Sequence, residues 1–273
     1  MLDLNDPRGN GRQAVKETID NNVWEKNEVF SHKLQAILAK HPISTHPLKE
    51  FFEKETLNDE KQLQIHLEFG VGFAQVFTDA VLEAMAKSRQ LEPRLGPKGK
   101  VTARFLWAIN LMDEIGYVPG KSGDQYMGHP FGAHYFQFVD MFEKMHGSMN
   151  DILTYKASDE ALKARASFED QYDNYPLLVS VLALSESIFD NFAGSWADNV
   201  ERSTDIDTST GYHTIHVEDD HGDSIDDDHS EDGWVLFRQA VTPDMHDEIE
   251  TKIKEWIDTW YKFADKILEI AMK

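Results

Sequence analysis

Cysteine is absent from the 273 residues, which excludes disulfides, thiolate metal sites and cysteine nucleophiles together. Histidine, aspartate and glutamate are then the only strong metal ligands available. Basic residues are also scarce, 27 Lys and Arg against 49 Asp and Glu, for a net charge of -22. Nucleic acid and an anionic membrane surface both need basic patches, so neither is expected as a partner. No segment approaches the roughly 18 consecutive apolar residues of a spanning helix, and the polar start from Met1 to Asp6 has no signal-peptide core. The expectation is a cytoplasmic protein acting on a small-molecule substrate, with homodimer formation allowed.

Convincing strand-like alternation is also missing, whereas apolar residues recur at helical spacing almost throughout. An all-α protein is predicted, with residues 1–22 as a polar N-terminal extension and 23–273 as a single helical domain. Helices are expected over Val23 to Lys40, after His46-Pro47, and from Asn58-Asp59 to Met85, the last interrupted by Gly70 and Gly72. Ser88 to Lys100, rich in Pro and Gly, reads as a loop before a helix from Val101 to Gly116. Val118 to Gly128 is a second connection, followed by an aromatic helix from Pro130 to Met145. Leu177 to Trp196 is apolar nearly all round, which marks it as central. A last helix starts at Thr242-Pro243 with Thr242 as its N-cap.

What the chain does have is a run of imidazoles and carboxylates between Gly211 and His229. His216, Asp220 and Asp223 stand at i, i+4 and i+7, so a helix would present them on one face, and their donor types suit iron, manganese or zinc. Three further candidates lie in apolar surroundings. Glu186 shares a helix face with Leu178, Leu182 and Phe189, where a lone carboxylate is costly and calls for a cation or a proton. Glu114 ends an apolar run, and His134 opens the aromatic helix.

In order, these motifs resemble the haem-oxygenase-like di-iron oxidases. His46-Pro47-Leu48 with Leu57-Asn58-Asp59-Glu60 is similar to that family's opening helices. Asn110-Leu111-Met112-Asp113-Glu114 is similar to its glutamate motif, the helix from His134 to Phe142 to its histidine helix, and Ala183-Leu184-Ser185-Glu186 to its second glutamate helix. Tyr212-His213-Thr214-Ile215-His216 through Asp220 is similar to the start of its closing His-x3-Asp-x2-His signature. In that register the last histidine falls on Asp223, with His221 and His229 as alternatives, and His129 competes with His134.

The resemblance implies a haem-oxygenase-like helical bundle holding two Fe(II) ions, with O2 as co-substrate. Glu186 would bridge or chelate, Glu114 and His134 would hold one iron, and His216 and Asp220 the other, completed by Asp223 or His221. It also implies oxidation of an amino-acid-like or fatty-acid-like substrate, by N-oxygenation, carbon–carbon cleavage or oxidative decarboxylation. Phe73, Phe77, Tyr135, Phe138, Phe189 and Phe192 would line the substrate pocket, and Arg104 is a candidate for a substrate carboxylate. The same scaffold hosts metal-free enzymes and haem-handling proteins, for which His32 is the candidate axial ligand. A non-enzymatic metal-binding helical protein is the remaining alternative.

Overall fold

The computed structural model describes residues 5–119, 126–215 and 225–273. They form α1 (Pro7–Lys16), α2 (Asn21–Lys40), α3 (Pro47–Lys54), α4 (Asp59–Phe69), α5 (Gln75–Lys87) and α6 (Glu92–Glu114). A two-stranded antiparallel hairpin follows, β1 (Tyr117–Pro119) with β2 (Tyr126–Gly128). Then come α7 (His134–Lys144), α8 (Met149–Thr154), α9 (Asp159–Glu169), α10 (Tyr175–Ser203), α11 (Tyr212–Ile215), α12 (Ile225–Ala240) and α13 (His246–Met272). The sequence expectation of an all-α bundle holds, and the hairpin is the one piece of strand among the described residues.

Helix α10 is the axle. Leu178, Val179 and Leu184 are completely buried on different sides of it, and α12 lies so close that a Cβ on Gly233 would come within 3.0 Å of Ala183 Cα. Burial of this kind supplies the main drive to fold, at roughly 25 cal/mol per Å2 of apolar surface. Two buried asparagines are matched to carbonyls that the helix ends leave over. Asn27 Nδ2 donates to the carbonyls of Arg238 at 2.8 Å and Val241 at 2.9 Å, at the end of α12. Asn199 Nδ2 does the same for Phe52 and Glu55 at the end of α3, at 2.7 and 2.9 Å. His46, from the family-like opening motif, is a cap: its Nδ1 accepts from the Leu48 amide at 3.1 Å.

Several local expectations change. From Pro7 onward the stretch read as a polar extension is helical, and Val15 and Ile19 enter the main core. Ser88 to Lys100 is helical as well: a 3-10 turn over Ser88–Leu91 leads into α6, and the Gly96-Pro97 pair only breaks the run, with Gly96 at φ 68°. The Pro and Gly residues punctuate a helix there instead of abolishing it, because residue i−1 to Pro avoids helical geometry at one position only. Between α4 and α5 the chain takes a π turn over Gly70–Ala74. Gly72 permits close packing, since a Cβ there would lie 2.9 Å from the Phe263 ring. Thr242 occupies the N-cap position of the turn before α13, but its side chain makes no capping bond. The stretch Asp59–Glu114 is long and apolar enough by composition to cross a membrane. Its Ile65, Val76, Ala80, Ala84, Ala103 and Leu106 are nonetheless in the bundle core.

Candidate active site

Three elements bring the principal candidates together. α6 ends at Glu114, the hairpin turns the chain back, and α7 begins with His134, whose Nδ1 lies 3.2 Å from Glu114 Oε1. The return depends on Gly116, at φ 89°, where a Cβ would meet the His129 carbonyl oxygen at 2.5 Å. α10 contributes Glu186, and α12 contributes His229, whose Nδ1 stands 3.7 Å from Glu114 Oε1 and 3.9 Å from Glu186 Oε1. All four are buried, at 4% exposure for Glu114, 8% for His134, 5% for Glu186 and 6% for His229.

Of the sixth-ligand alternatives, one lies among the described residues. His229 is inside the site. His216, Asp220, His221 and Asp223 lie outside the described residues. His129 is exposed and caps a short turn by accepting from the Phe131 amide at 3.1 Å, whereas His134 faces Glu114. His32 is exposed on α2, which leaves it unsuited as the axial ligand of an enclosed haem. Arg104, midway along α6, is turned away to Ser88 before that helix, its Nε donating to Ser88 Oγ at 3.2 Å.

Two small cavities meet at the carboxylates, because Glu114 and Glu186 line both. One, about 20 Å3, is walled by Phe73, Phe77, Thr78, His134, Tyr135 and Tyr212; the other, about 10 Å3, by Trp107, Asn110, Leu182, His229 and Gly233. The predicted aromatic set is divided. Phe73, Phe77 and Tyr135 reach the carboxylates, whereas Phe189 and Phe192 line a separate apolar cavity of about 50 Å3 with Phe69, Trp196 and Trp260. Phe138 packs against His66 and Tyr212. Burial, with a hydrogen bond to Gln75 and the charge of Arg165 opposing it, holds the Tyr135 phenol above its ordinary range.

The donor set can be tested against a metal. Nε2 of His229 lies 3.2 Å from Asp113 Oδ2. A carboxylate accepts, so Nε2 is the donor in that contact, while Nδ1 faces two further carboxylate oxygens. Such a grouping is repulsive unless a proton or a cation is shared within it. Buried carboxylates with imidazoles are what iron, manganese or zinc select, and the fit is chemically sound. Among the described residues no three His, Asp or Glu are arranged to hold an ion by themselves.

Behind the site is an ion network that the sequence reading did not find. Arg8 and Arg12 of α1 both bind Asp232 of α12, which has no solvent exposure. Arg8 Nη2 reaches Asp113 at 2.5 Å and Nη1 reaches Asn110 at 2.8 Å, while Arg12 pairs with Asp228 and Glu231. Burial pushes the Asp232 carboxyl up, against the pull of both guanidiniums. The sequence signal was two arginines one helical turn apart, whose partners lie 102 to 224 residues away.

No family model and no curated sequence matches the chain. Among solved structures, a TenA homolog from Pseudomonas syringae pv. tomato superposes with a TM-score of 0.60 over 89% of this chain and 92% of that one, at 11% sequence identity. The fold is haem-oxygenase-like. In the haem-oxygenase-like bundle described above, Glu114, His134, Glu186 and His229 come from α6, α7, α10 and α12 and meet in the interior.

Proposed function

We propose that the chain is an enzyme that binds two ferrous ions and uses dioxygen to oxidise a small amino-acid-like or fatty-acid-like substrate. The supporting observation is the convergence of two buried glutamates and two buried histidines from four helices, with His229 Nδ1 turned toward carboxylate oxygens of Glu114 and Glu186. Glu186 would bridge or chelate; Glu114 and His134 would hold one ion; His229, with His216 and Asp220 from outside the described residues, would hold the other. Bound ferrous iron would supply the electrons and open coordination positions that dioxygen chemistry requires.

The remaining work falls to the protein. Phe73 and Phe77 exclude water from the carboxylates, which strengthens every charge interaction inside. Thr78 Oγ1 donates to Glu114 Oε2 at 3.4 Å and steadies the carboxylate whose other oxygen faces His134. Tyr135 offers its phenol proton to a polar group of a substrate entering the same cavity.

The test is rapid mixing of anaerobically iron-loaded protein with oxygen. Wild type should consume oxygen faster than free iron and show transient visible absorption, and Glu114→Ala and His229→Ala should each abolish the transient. Oxygen consumption no faster than that of free iron would exclude the reading.

A second reading rests on the 3.2 Å contact between His134 and Glu114. A buried carboxylate orienting an imidazole is also an acid–base pair, which a metal-free enzyme of the same fold could use directly. Chelation separates the two: it would leave acid–base activity intact and remove oxygen consumption.

A further inference from the structure

We propose that the N-terminal helix α1 is part of the active site: Arg8 anchors Asp113, and Asp113 fixes His229 as the Nε2–H tautomer, so that Nδ1 is aimed at Glu114 and Glu186. The contacts form a continuous chain. Arg8 Nη2 donates to Asp113 Oδ2 at 2.5 Å, and the same oxygen lies 3.2 Å from His229 Nε2. On the opposite edge of that ring, Nδ1 stands 3.7 Å from Glu114 Oε1 and 3.9 Å from Glu186 Oε1.

An imidazole in water exchanges freely between two tautomers, and only one leaves Nδ1 as a donor atom. The choice belongs to whatever accepts from the other nitrogen. Asp113 is well suited to it, since its side chain is 19% exposed and a guanidinium secures it. Arg8 is held in turn by Asn110 Oδ1 at 2.8 Å and by the fully buried Asp232, so it is fixed from α6 and α12 at once. Asp113 and Arg8 touch neither carboxylate of the pair that His229 faces, and act as positioning residues through His229.

The inference rests on the functional reading given above for what His229 serves, but not for the tautomer itself. The experiment is therefore done first on metal-free protein. Histidine labelled with 15N reports each ring nitrogen separately, with His229→Gln assigning the resonances. Wild type should show a protonated Nε2 and a bare Nδ1 on His229. Asp113→Ala should collapse this to the averaged pattern of a free imidazole, and Asp113→Asn, which keeps an acceptor oxygen, should largely restore it. Arg8→Gln should give an intermediate pattern. Cobalt(II) binding is then titrated by its visible absorption, and Asp113→Ala should weaken it about 10- to 100-fold, with Asp113→Asn recovering most of the loss. A His229 tautomer and a cobalt affinity both unchanged in Asp113→Ala, in protein whose circular dichroism matches wild type, would overturn the proposal. A wild type that shows the tautomer but binds no metal would refute the metal reading alone and leave the relay standing.

Discussion

His66 gives the bundle a built-in sensitivity to acid. It is fully enclosed on α4, with its ring 4.4 Å from that of Trp196 and 5.8 Å from that of Phe138. Nδ1 lies 2.7 Å from the Gln62 carbonyl oxygen, which can only accept, so Nδ1 carries the proton; among the described residues the buried Nε2 has no hydrogen-bond partner. Charging this ring would add a second N–H with nothing to receive it. Burial accordingly drives its pKa down from 6.5 to about 4, only partly offset by the bond to Gln62. Because the folded value is the lower one, the stabilisation is complete above the unfolded pKa of 6.5 and is lost as pH falls from there toward 4. Between about pH 7.5 and about pH 5 only the unfolded imidazole takes up a proton, at about 1.4 kcal/mol per unit over about 1.5 units, or about 2 kcal/mol. Other groups titrate over the same range, so the measurement is a double difference. Urea unfolding of wild type and His66→Leu is compared at the two pH values. The variant should begin less stable, having lost ring packing and the Gln62 bond, yet lose about 2 kcal/mol less on acidification. Equal losses in both proteins would refute the argument.

Other outcomes follow from packing and charge. Gly194→Ala, on α10 with open space around its Cβ, should stabilise by up to about 1 kcal/mol, read by urea midpoint. Gly233→Ala should instead destabilise by about 1–2 kcal/mol, because its Cβ meets Ala183 Cα and Cβ at 3.0 Å and forces α10 and α12 apart. Asp232→Ala leaves Arg8 and Arg12, each with under a fifth of its side chain exposed, without their shared buried partner. A loss of about 3 kcal/mol is expected, with early protease cleavage at α1.

How much of this could be read from the sequence depends on how far apart the interacting residues are. Helix α10 was plain because apolar residues surround it, and Glu186 stood out as a carboxylate on a face with Leu178 and Leu182. Glu114 and His134 were legible for the same local reason, each bordering an apolar run. Helix α1 was not, since its anchors are Val15 and, just beyond its end, Ile19, and Arg8 and Arg12 find their partners across the fold. Placing His229 beside Glu114 needed the register of α12, and His221 and Asp223 lie outside the described residues. That helix carries no apolar pattern until Trp234, Val235, Leu236 and Phe237. Once α12 is seated by those four residues and by Gly233 against Ala183, His229 falls beside Glu114. The aromatic set was identified by type, but Phe189 and Phe192 point to a different cavity from Phe73 and Phe77, a distinction fixed by helix rotation.

The central claim is that Glu114, His134, Glu186 and His229 form the described part of a two-iron site. Anaerobic iron(II) titration of metal-free protein, followed by equilibrium dialysis and iron analysis, tests it most directly. Two equivalents should bind to wild type and fewer than one to Glu186→Ala, which lacks the carboxylate proposed to serve both ions. Wild type that retains no iron, or Glu186→Ala that retains two equivalents, would contradict the account.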